Sequence, residues 1–118
     1  MDQDVKKTVL RQIPYGLYIM SSSDGTNHHA GTVNWLSQAS FQPPLVMVAV
    51  KAESGLYESV DKTGKFAINV LSDEQKQIAE DFFRPTSLDN DKLNGHSFTL
   101  EETGSPILAE VYAYFECT

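Results

Sequence analysis

Residues 51–54 carry side chains that could bind a phosphate or another anion. Lys51 directly follows the apolar run of residues 45–50, and Ser54 lies three positions later, where a helix is predicted to begin. A lysine at a strand end beside a helix N-terminus can hold an anion, because free N–H groups and the helix dipole favour negative charge there. The simpler interpretation is a solvated lysine followed by an ordinary serine N-cap. Both interpretations stay open from the residues alone, and Lys51 is the one cation of this predicted site.

Residues 31–50 form the second segment with groups that could contact a ligand. They predict a strand, a polar turn beside Pro43 and Pro44, and a second, entirely apolar strand. Hydroxyl and amide side chains gather before the turn: Thr32, Asn34, Ser37 and Ser40. Such groups can hydrogen-bond the polar edge of a ligand, and the alternative is that they face outward from an edge strand. The aromatic residues here, Trp35 and Phe41, are predicted first as core or interface residues.

We assign no catalytic residue and no metal ligand from the sequence. His28 and His29 are adjacent, so on a strand they point to opposite sides, and no cysteine or third histidine lies nearby. The glycine-rich nucleotide motifs are absent, and no Ser/His/Asp or Cys/His set is convincing. A redox reaction would need a bound cofactor, because the chain offers no redox group of its own.

The composition predicts one soluble globular domain. The chain has 118 residues, of which 41% are hydrophobic, and a net charge of −7. Binding of nucleic acid is not expected, because phosphate contacts need clustered Lys and Arg. No apolar run approaches the ~18 residues of a membrane helix. The N-terminus lacks the apolar core of a signal peptide, and Cys117 is the single cysteine. We therefore expect a cytoplasmic protein with a reduced thiol and no membrane partner.

Hydrophobic patterning predicts a mainly β chain with two helices. The predicted strands are residues 15–20, 31–36, 45–50, 66–71 and 111–116, and the run 45–50 is predicted to be buried on both faces. One helix is predicted over residues 54–63, ended by Gly64. Another begins in a capping box at residues 72–75, runs to about Phe82 and buries Ile78. Residues 86–95 are predicted as a long polar loop.

The sequence resembles the flavin reductase-like family, the FMN-binding split β-barrel proteins. The resemblance rests on the pattern Asn34-Trp35-x-x-Gln38-x-Ser40-Phe41-x-Pro43-Pro44, on Val46-x-Val48-x-Val50-Lys51, and on residues 66–71. The resemblance covers about residues 10–118. Within the family, the sequence is most similar to flavoredoxins and to the flavin reductase modules of rubredoxin-like and diiron flavoproteins. It implies a mainly β fold, an FMN-binding split β-barrel with one or two flanking helices.

The resemblance also implies which residues contact the cofactor. Those that would line the flavin ring and its polar edge are Thr32, Val33, Asn34, Trp35, Ala39, Ser40 and Phe41. Those that would hold the phosphate or the ribityl chain are Lys51, Ser54 and Tyr57. No side chain is implied as a catalytic acid or base, because the flavin itself accepts the hydride.

The function implied by the resemblance is an FMN-binding oxidoreductase of the NAD(P)H:flavin reductase type. Electrons would pass from NADH or NADPH through FMN, with FAD or riboflavin as alternative flavins, to an acceptor such as another redox protein. The resemblance further implies a homodimer with the flavin between subunits. Two alternatives stay open: an FMN-binding electron-transfer protein without nicotinamide reactivity, and a non-enzymatic flavin-binding module. Residues 1–118 are expected to be a single domain. Because the sequence stops within a strand pattern, we expect either a truncated chain or a sheet that a partner subunit finishes.

Overall fold

Ten short strands and three helices are present in a computed structural model of the protein, which describes residues 2–118. In chain order they are α1 (Gln3–Leu10), β1 (Tyr18–Ser23), β2 (His28–Val33), β3 (Leu36–Phe41), β4 (Pro44–Val48), α2 (Gly55–Thr63), β5 (Phe66–Val70), α3 (Lys76–Asp81), β6 (Leu88–Asp89), β7 (Lys92–Leu93), β8 (Phe98–Leu100), β9 (Pro106–Leu108) and β10 (Ala113–Cys117). The predicted mainly β class is confirmed.

The central strand of the main sheet is β1, which is buried on both faces. The strand order is β10-β5-β1-β2, and every neighbouring pair is antiparallel. Successive side chains of a strand point to opposite faces. Ile19 therefore packs with Ile78 of α3 on one face, while Met20 packs with Leu56 of α2 on the other. The two helices thus lie on opposite faces, and β2 is left as an edge strand between them.

A separate two-stranded sheet is formed by β3 and β4. Along β4, exposed Leu45 and Met47 alternate with half-buried Val46 and Val48; the exposed pair are 52% and 67% accessible. The prediction that residues 45–50 are buried on both faces is therefore wrong. A continuous apolar run does not by itself distinguish a fully buried strand from one with an open apolar face.

The polar stretch before Pro43 is also different from its prediction, because it forms strand β3 instead of a turn. The turn is confined to residues 42–43, and the pairing of β3 with β4 shifts register between Gln38 and Ser40. Phe41, predicted as a core or interface residue, is 86% exposed at the end of β3. Ser37 and Gln38 line a cavity together with residues of the main sheet, whereas Phe41 lies at the exposed end of the hairpin.

The ends of α2 follow the sequence prediction closely. Ser54 is the N-cap, its Oγ accepting a hydrogen bond from the Tyr57 N–H at 3.1 Å, and Gly64 ends the helix in the left-handed conformation at φ 69°. In the predicted capping box, the Ser72 N–H donates to Oε1 of Gln75 at 2.9 Å, although α3 begins only at Lys76. The helix α1 was not predicted, because its eight residues bury no side chain.

The predicted loop at residues 86–95 contains a small hairpin made of β6 and β7. Its turn residues Asn90 and Asp91 both have positive φ, which is the conformation of a tight two-residue hairpin turn. Leu93 is fully buried in the core, so this segment is anchored at its end. Within residues 2–118 no sheet closes on itself, and no helix is long and apolar enough to cross a membrane.

Candidate flavin-binding site

A cleft of 470 Å³ runs along the free edge of β2, between the start of α2 and the chain that follows α3. We call it the β2–α2 cleft. Its lining comes from three segments: residues 29–33, residues 50–56 apart from Ala52, and residues 82–86 apart from Phe83. Its volume lies in the ~300–1,000 Å³ range of small-molecule sites. Apolar side chains such as Val33, Val50 and Phe82 share it with charged ones.

One wall of the β2–α2 cleft is held by hydrogen bonds from the edge of β2. The Thr32 hydroxyl donates to the Ala79 carbonyl at 2.6 Å, and the Thr32 N–H donates to the Phe82 carbonyl at 3.3 Å. The Thr86 hydroxyl accepts from the Ala30 N–H and donates to the Ala30 carbonyl, both at 2.9 Å. These bonds satisfy backbone groups of an edge strand that would otherwise be free to pair with another chain.

Residues that do not line the cleft hold the same wall from behind. Asn94, which is buried, accepts the Ser87 N–H at 2.8 Å and donates to the Asp81 carbonyl at 3.0 Å. His96 Nε2 lies 2.8 Å from Asp81 Oδ2. This hydrogen bond is the main cause that lowers the pKa of Asp81 below its ordinary value of 3.8. The segment bearing residues 82–86 is therefore fixed at its origin, Asp81.

The opposite wall is the N-terminus of α2. The Ser54 hydroxyl donates to the Lys51 carbonyl at 2.7 Å and accepts from Tyr57, so the N–H groups of Gly55 and Leu56 are not used by this cap. The imidazole of His29 lies directly against Gly55, since a Cβ there would come within 2.6 Å of His29 Nδ1. A larger residue at this position would therefore have to displace the ring.

The charged side chains of the β2–α2 cleft are mainly cationic, although the chain as a whole carries −7. Lys51 and Arg84 are the cations, and Glu53 is the acid. The cleft therefore contains a second cation, Arg84, besides the predicted Lys51. A positive cleft in an acidic protein favours an anionic ligand over an uncharged one.

The ten predicted contact residues fall into two groups in the structure. Four line the β2–α2 cleft: Thr32, Val33, Lys51 and Ser54. Six lie outside it: Asn34, Trp35, Ala39, Ser40, Phe41 and Tyr57. Tyr57 faces a shallow groove on the other side of α2, beside Val60 and Asp61. One chain therefore does not gather all ten residues around a single cavity.

The second group is associated with an exposed aromatic surface. Tyr15 and Trp35 have ring centroids 6.4 Å apart and line a groove of 580 Å³ together with Met47. Trp35 is 61% exposed, which does not agree with a position in the core of this chain. Ser40 and Phe41 lie further out, at the tip of the β3–β4 hairpin.

Among the cleft residues that the sequence did not predict as contacts are His29, Arg84 and Thr86. The sequence does contain a signal for the position of Arg84. Pro85 must end the preceding helix, which places Arg84 at the start of the chain that follows α3. His29 was considered only as a metal ligand. Within residues 2–118 no three His, Cys, Asp or Glu side chains are arranged to hold a metal ion.

Comparisons with known proteins give the geometry a context. Residues 10–118 match the family model of the flavin reductase like domain. A probable flavin reductase of Rhizobium meliloti (strain 1021) is 36% identical over 104 residues, which are 87% of this chain and 32% of that protein. A flavin reductase of Pseudomonas putida is 33% identical over 112 residues, which are 94% of this chain and 64% of that protein.

A solved structure agrees in fold. The NADH:FAD oxidoreductase of Streptomyces globisporus C-1027 superposes with a TM-score of 0.83 at 26% identity, covering 99% of this chain and 70% of that one. The chain spans 32% and 64% of the length of the two curated relatives, so it corresponds to part of each. Because the family model covers residues 10–118, the chain belongs to the flavin reductase-like family.

Proposed function

We propose that the chain binds FMN and acts as an NAD(P)H:flavin reductase-type oxidoreductase. The observation that carries this proposal is the positively charged β2–α2 cleft in a member of the flavin reductase-like family. A cleft with an apolar part and a cationic part fits a flavin, which has an aromatic ring system and, in FMN, a phosphate. When bound, the flavin supplies the hydride-accepting group that the side chains lack.

Residues of the cleft then have separable tasks. Lys51 and the N-terminal turn of α2 hold the phosphate, because charge-assisted hydrogen bonds to phosphate are stronger than neutral ones. Val33 and the backbone of Thr32 lie beside the ring or the ribityl chain. The Thr32 hydroxyl has already donated its proton to Ala79, so it can only accept a hydrogen bond from the ligand.

The six predicted residues outside the cleft lead us to propose a homodimer. Phe41 lies five positions along β3 from Leu36, which is about 17 Å at ~3.3 Å per residue. A second copy could bring this hairpin to the cleft of the first, so that Ser40 and its neighbours approach the flavin across the interface. The exposed apolar side chains of Phe41 and Met47 support this arrangement, since they would be covered in the dimer.

Several finer features belong to the same proposal. In this proposal, the sheets of this chain form part of a split β-barrel around the flavin. The terminal acceptor, the choice between NADH and NADPH, and the alternatives of FAD and riboflavin stay predictions. Residues 1–118 as a single domain and a cytoplasmic location also stay predictions. Cys117 is half-buried, and burial raises the pKa of its thiol, which makes it a weak nucleophile.

Two measurements on the purified protein test the proposal. Titration with FMN should give a bound flavin with absorption near ~370 and ~450 nm, the bands of the cofactor. Anaerobic mixing with NADH or NADPH should then bleach the ~450 nm band. Bound FMN that dithionite reduces but neither nucleotide reduces would favour the electron-transfer alternative. Failure to bind any flavin would refute the proposal.

A further inference from the structure

Two side chains of the β2–α2 cleft, His29 and Arg84, have no role in the site predicted from sequence. We propose that His29 and Arg84 join Lys51 in recognising the flavin phosphate, and that His29 makes the affinity for phosphorylated flavin increase as pH falls. This inference rests on the proposed function, because it specifies which chemical form of flavin the cleft selects and how that selection is controlled.

The first support is that the His29 imidazole is unengaged. His28 Nδ1 lies 2.8 Å from Ser23 Oγ, and His96 Nε2 lies 2.8 Å from Asp81 Oδ2. Among the side-chain hydrogen bonds and ion pairs within residues 2–118, none involves the His29 imidazole, although its ring is only half-exposed and packs on Gly55. Its nitrogens are thus available to a ligand in the cleft, whereas the other two histidines are held by protein side chains.

The second support is the position of Arg84. Its guanidinium makes one long hydrogen bond, from Nη2 to the Asn94 carbonyl at 3.5 Å, and no ion pair within residues 2–118 includes it. Four of its five donors are therefore free, and the segment that carries it is fixed by Asn94 and Thr86. Its one bond goes to Asn94, behind the wall, so in this proposal the free guanidinium donors turn to a phosphate in the cleft, which they can bind through two parallel hydrogen bonds.

The charges around His29 come from three directions. Lys51 and Glu53 precede α2, Arg84 follows α3, and Asp24 lies in the turn between β1 and β2. Asp24 is itself engaged: its carboxylate accepts from Asn27 and Thr26, and these bonds lower its pKa below 3.8, with smaller contributions from Lys62 and His29. Imidazole is the side-chain type whose charge ordinarily changes between pH 5 and 8.

The direction of the pH effect follows from linkage. A doubly or singly charged phosphate binds the imidazolium form better than the neutral form, so binding takes up a proton and tightens as pH falls. The phosphate loses part of its own charge over the same range, since its second pKa is near ~6. A variant without the imidazole shares this second effect, so the comparison of the two proteins isolates the contribution of His29.

The experiment measures dissociation constants of FMN and riboflavin between pH 5.5 and 8.0 for the 118-residue chain and its variants. Arg84→Gln should weaken FMN about tenfold or more at every pH, the effect of one charge-assisted hydrogen bond. His29→Gln should weaken FMN about fivefold to tenfold at pH 5.5 but less than about twofold at pH 8.0. Riboflavin, which has no phosphate, should bind within about twofold of wild type in both variants.

Matched controls are available within the chain. His28→Gln removes the neighbouring imidazole on the other side of β2, which contacts Ser23 and Phe98 and does not line the cleft. Arg11→Gln removes an exposed arginine after α1. Both should leave FMN binding and its pH profile unchanged. His29→Asn serves as a second variant, and riboflavin affinity verifies that each variant retains its fold.

Three outcomes would overturn the inference while leaving the proposed function intact. Equal losses for FMN and riboflavin would mean that the residues act through the fold and not through the phosphate. Unchanged FMN binding in both variants would exclude them from the site. A pH profile of His29→Gln identical to that of wild type would remove the role of His29. If wild type binds neither flavin, the proposed function fails first and the inference falls with it.

Discussion

Asn69 offers a stability prediction whose size can be worked out from the structure. This side chain of β5 is fully buried, and its amide spans from the main sheet to the β8–β9 hairpin. Nδ2 donates to the Ile19 carbonyl at 3.0 Å, and Oδ1 accepts from the Leu108 N–H at 2.9 Å. Asn69→Leu keeps a similar volume but leaves the Leu108 N–H buried without a partner, whereas the Ile19 carbonyl keeps the β5 backbone as its partner in the ladder between β1 and β5.

One orphaned buried donor costs about 1–3 kcal/mol, which is the predicted loss of stability. Such a loss is a sizeable part of the ~5–15 kcal/mol that stabilises a typical domain. Urea unfolding followed by circular dichroism is the assay. At a slope of about 1–3 kcal/mol/M, the midpoint should fall by about 1 M.

The control is Asn27→Ala, because Asn27 is exposed in the turn between β1 and β2. Its effect should stay within about 0.5 kcal/mol, as for most surface substitutions. A loss below about 1 kcal/mol for Asn69→Leu would refute the reasoning. It would mean that water or a local shift satisfies the Leu108 N–H.

Three further predictions concern the site and its surroundings. Lys51→Ala should weaken FMN by about 1.5 kcal/mol, the low end for hydrogen bonds to charged groups, because Arg84 shares the phosphate; titration with FMN and riboflavin checks it, and riboflavin should change far less. Phe41→Asp should shift the protein to monomers in sedimentation at unchanged monomer stability, because this side chain is 86% exposed in one chain; a dimer that persists would contradict the proposed interface. Asp81→Asn should make the free energy of unfolding depend less on pH under acid conditions. The lowered pKa of Asp81 contributes stability above its ordinary value of 3.8, and this stability is lost as pH falls through the lower folded value. Unfolding between pH 2.5 and 7 measures this, and the same acid dependence in both proteins would refute it.

The sequence allowed local features to be predicted where one residue type has one physical role. The Ser54 cap and the Gly64 stop of α2 both appear in the structure, because a hydroxyl at an N-cap and a glycine at positive φ have few substitutes. The buried positions Ile78 and Phe82 were also predicted, from helical spacing. The family was predicted from the motif at residues 34–51, and the comparisons confirm it.

Long-range placement could not be predicted in the same way. Nothing in local spacing shows that the edge of β2 meets the chain after α3, since this contact joins Ala30 to Thr86 across 56 positions. Arg84 was therefore not recognised as a neighbour of Lys51. The exposure of Met47 was likewise hidden, because a strand with one open apolar face and a strand buried on both faces have the same sequence pattern.

The two groups of contact residues suggest how flavin binding and assembly are coupled. The proposed phosphate-binding part of the site, with Lys51 and Arg84, lies in one cleft of a single chain. The part that would contact the ring's polar edge lies on a hairpin that extends from the main sheet, with Phe41 at its tip. If a second copy supplies that hairpin, ligand affinity and dimer affinity become linked, because a ligand that binds across an interface stabilises the assembled state by mass action. A charged phosphate held by one chain then retains the flavin when subunits separate, whereas ring contacts are lost. The cations of the β2–α2 cleft would in this way make FMN binding less sensitive to protein concentration than riboflavin binding.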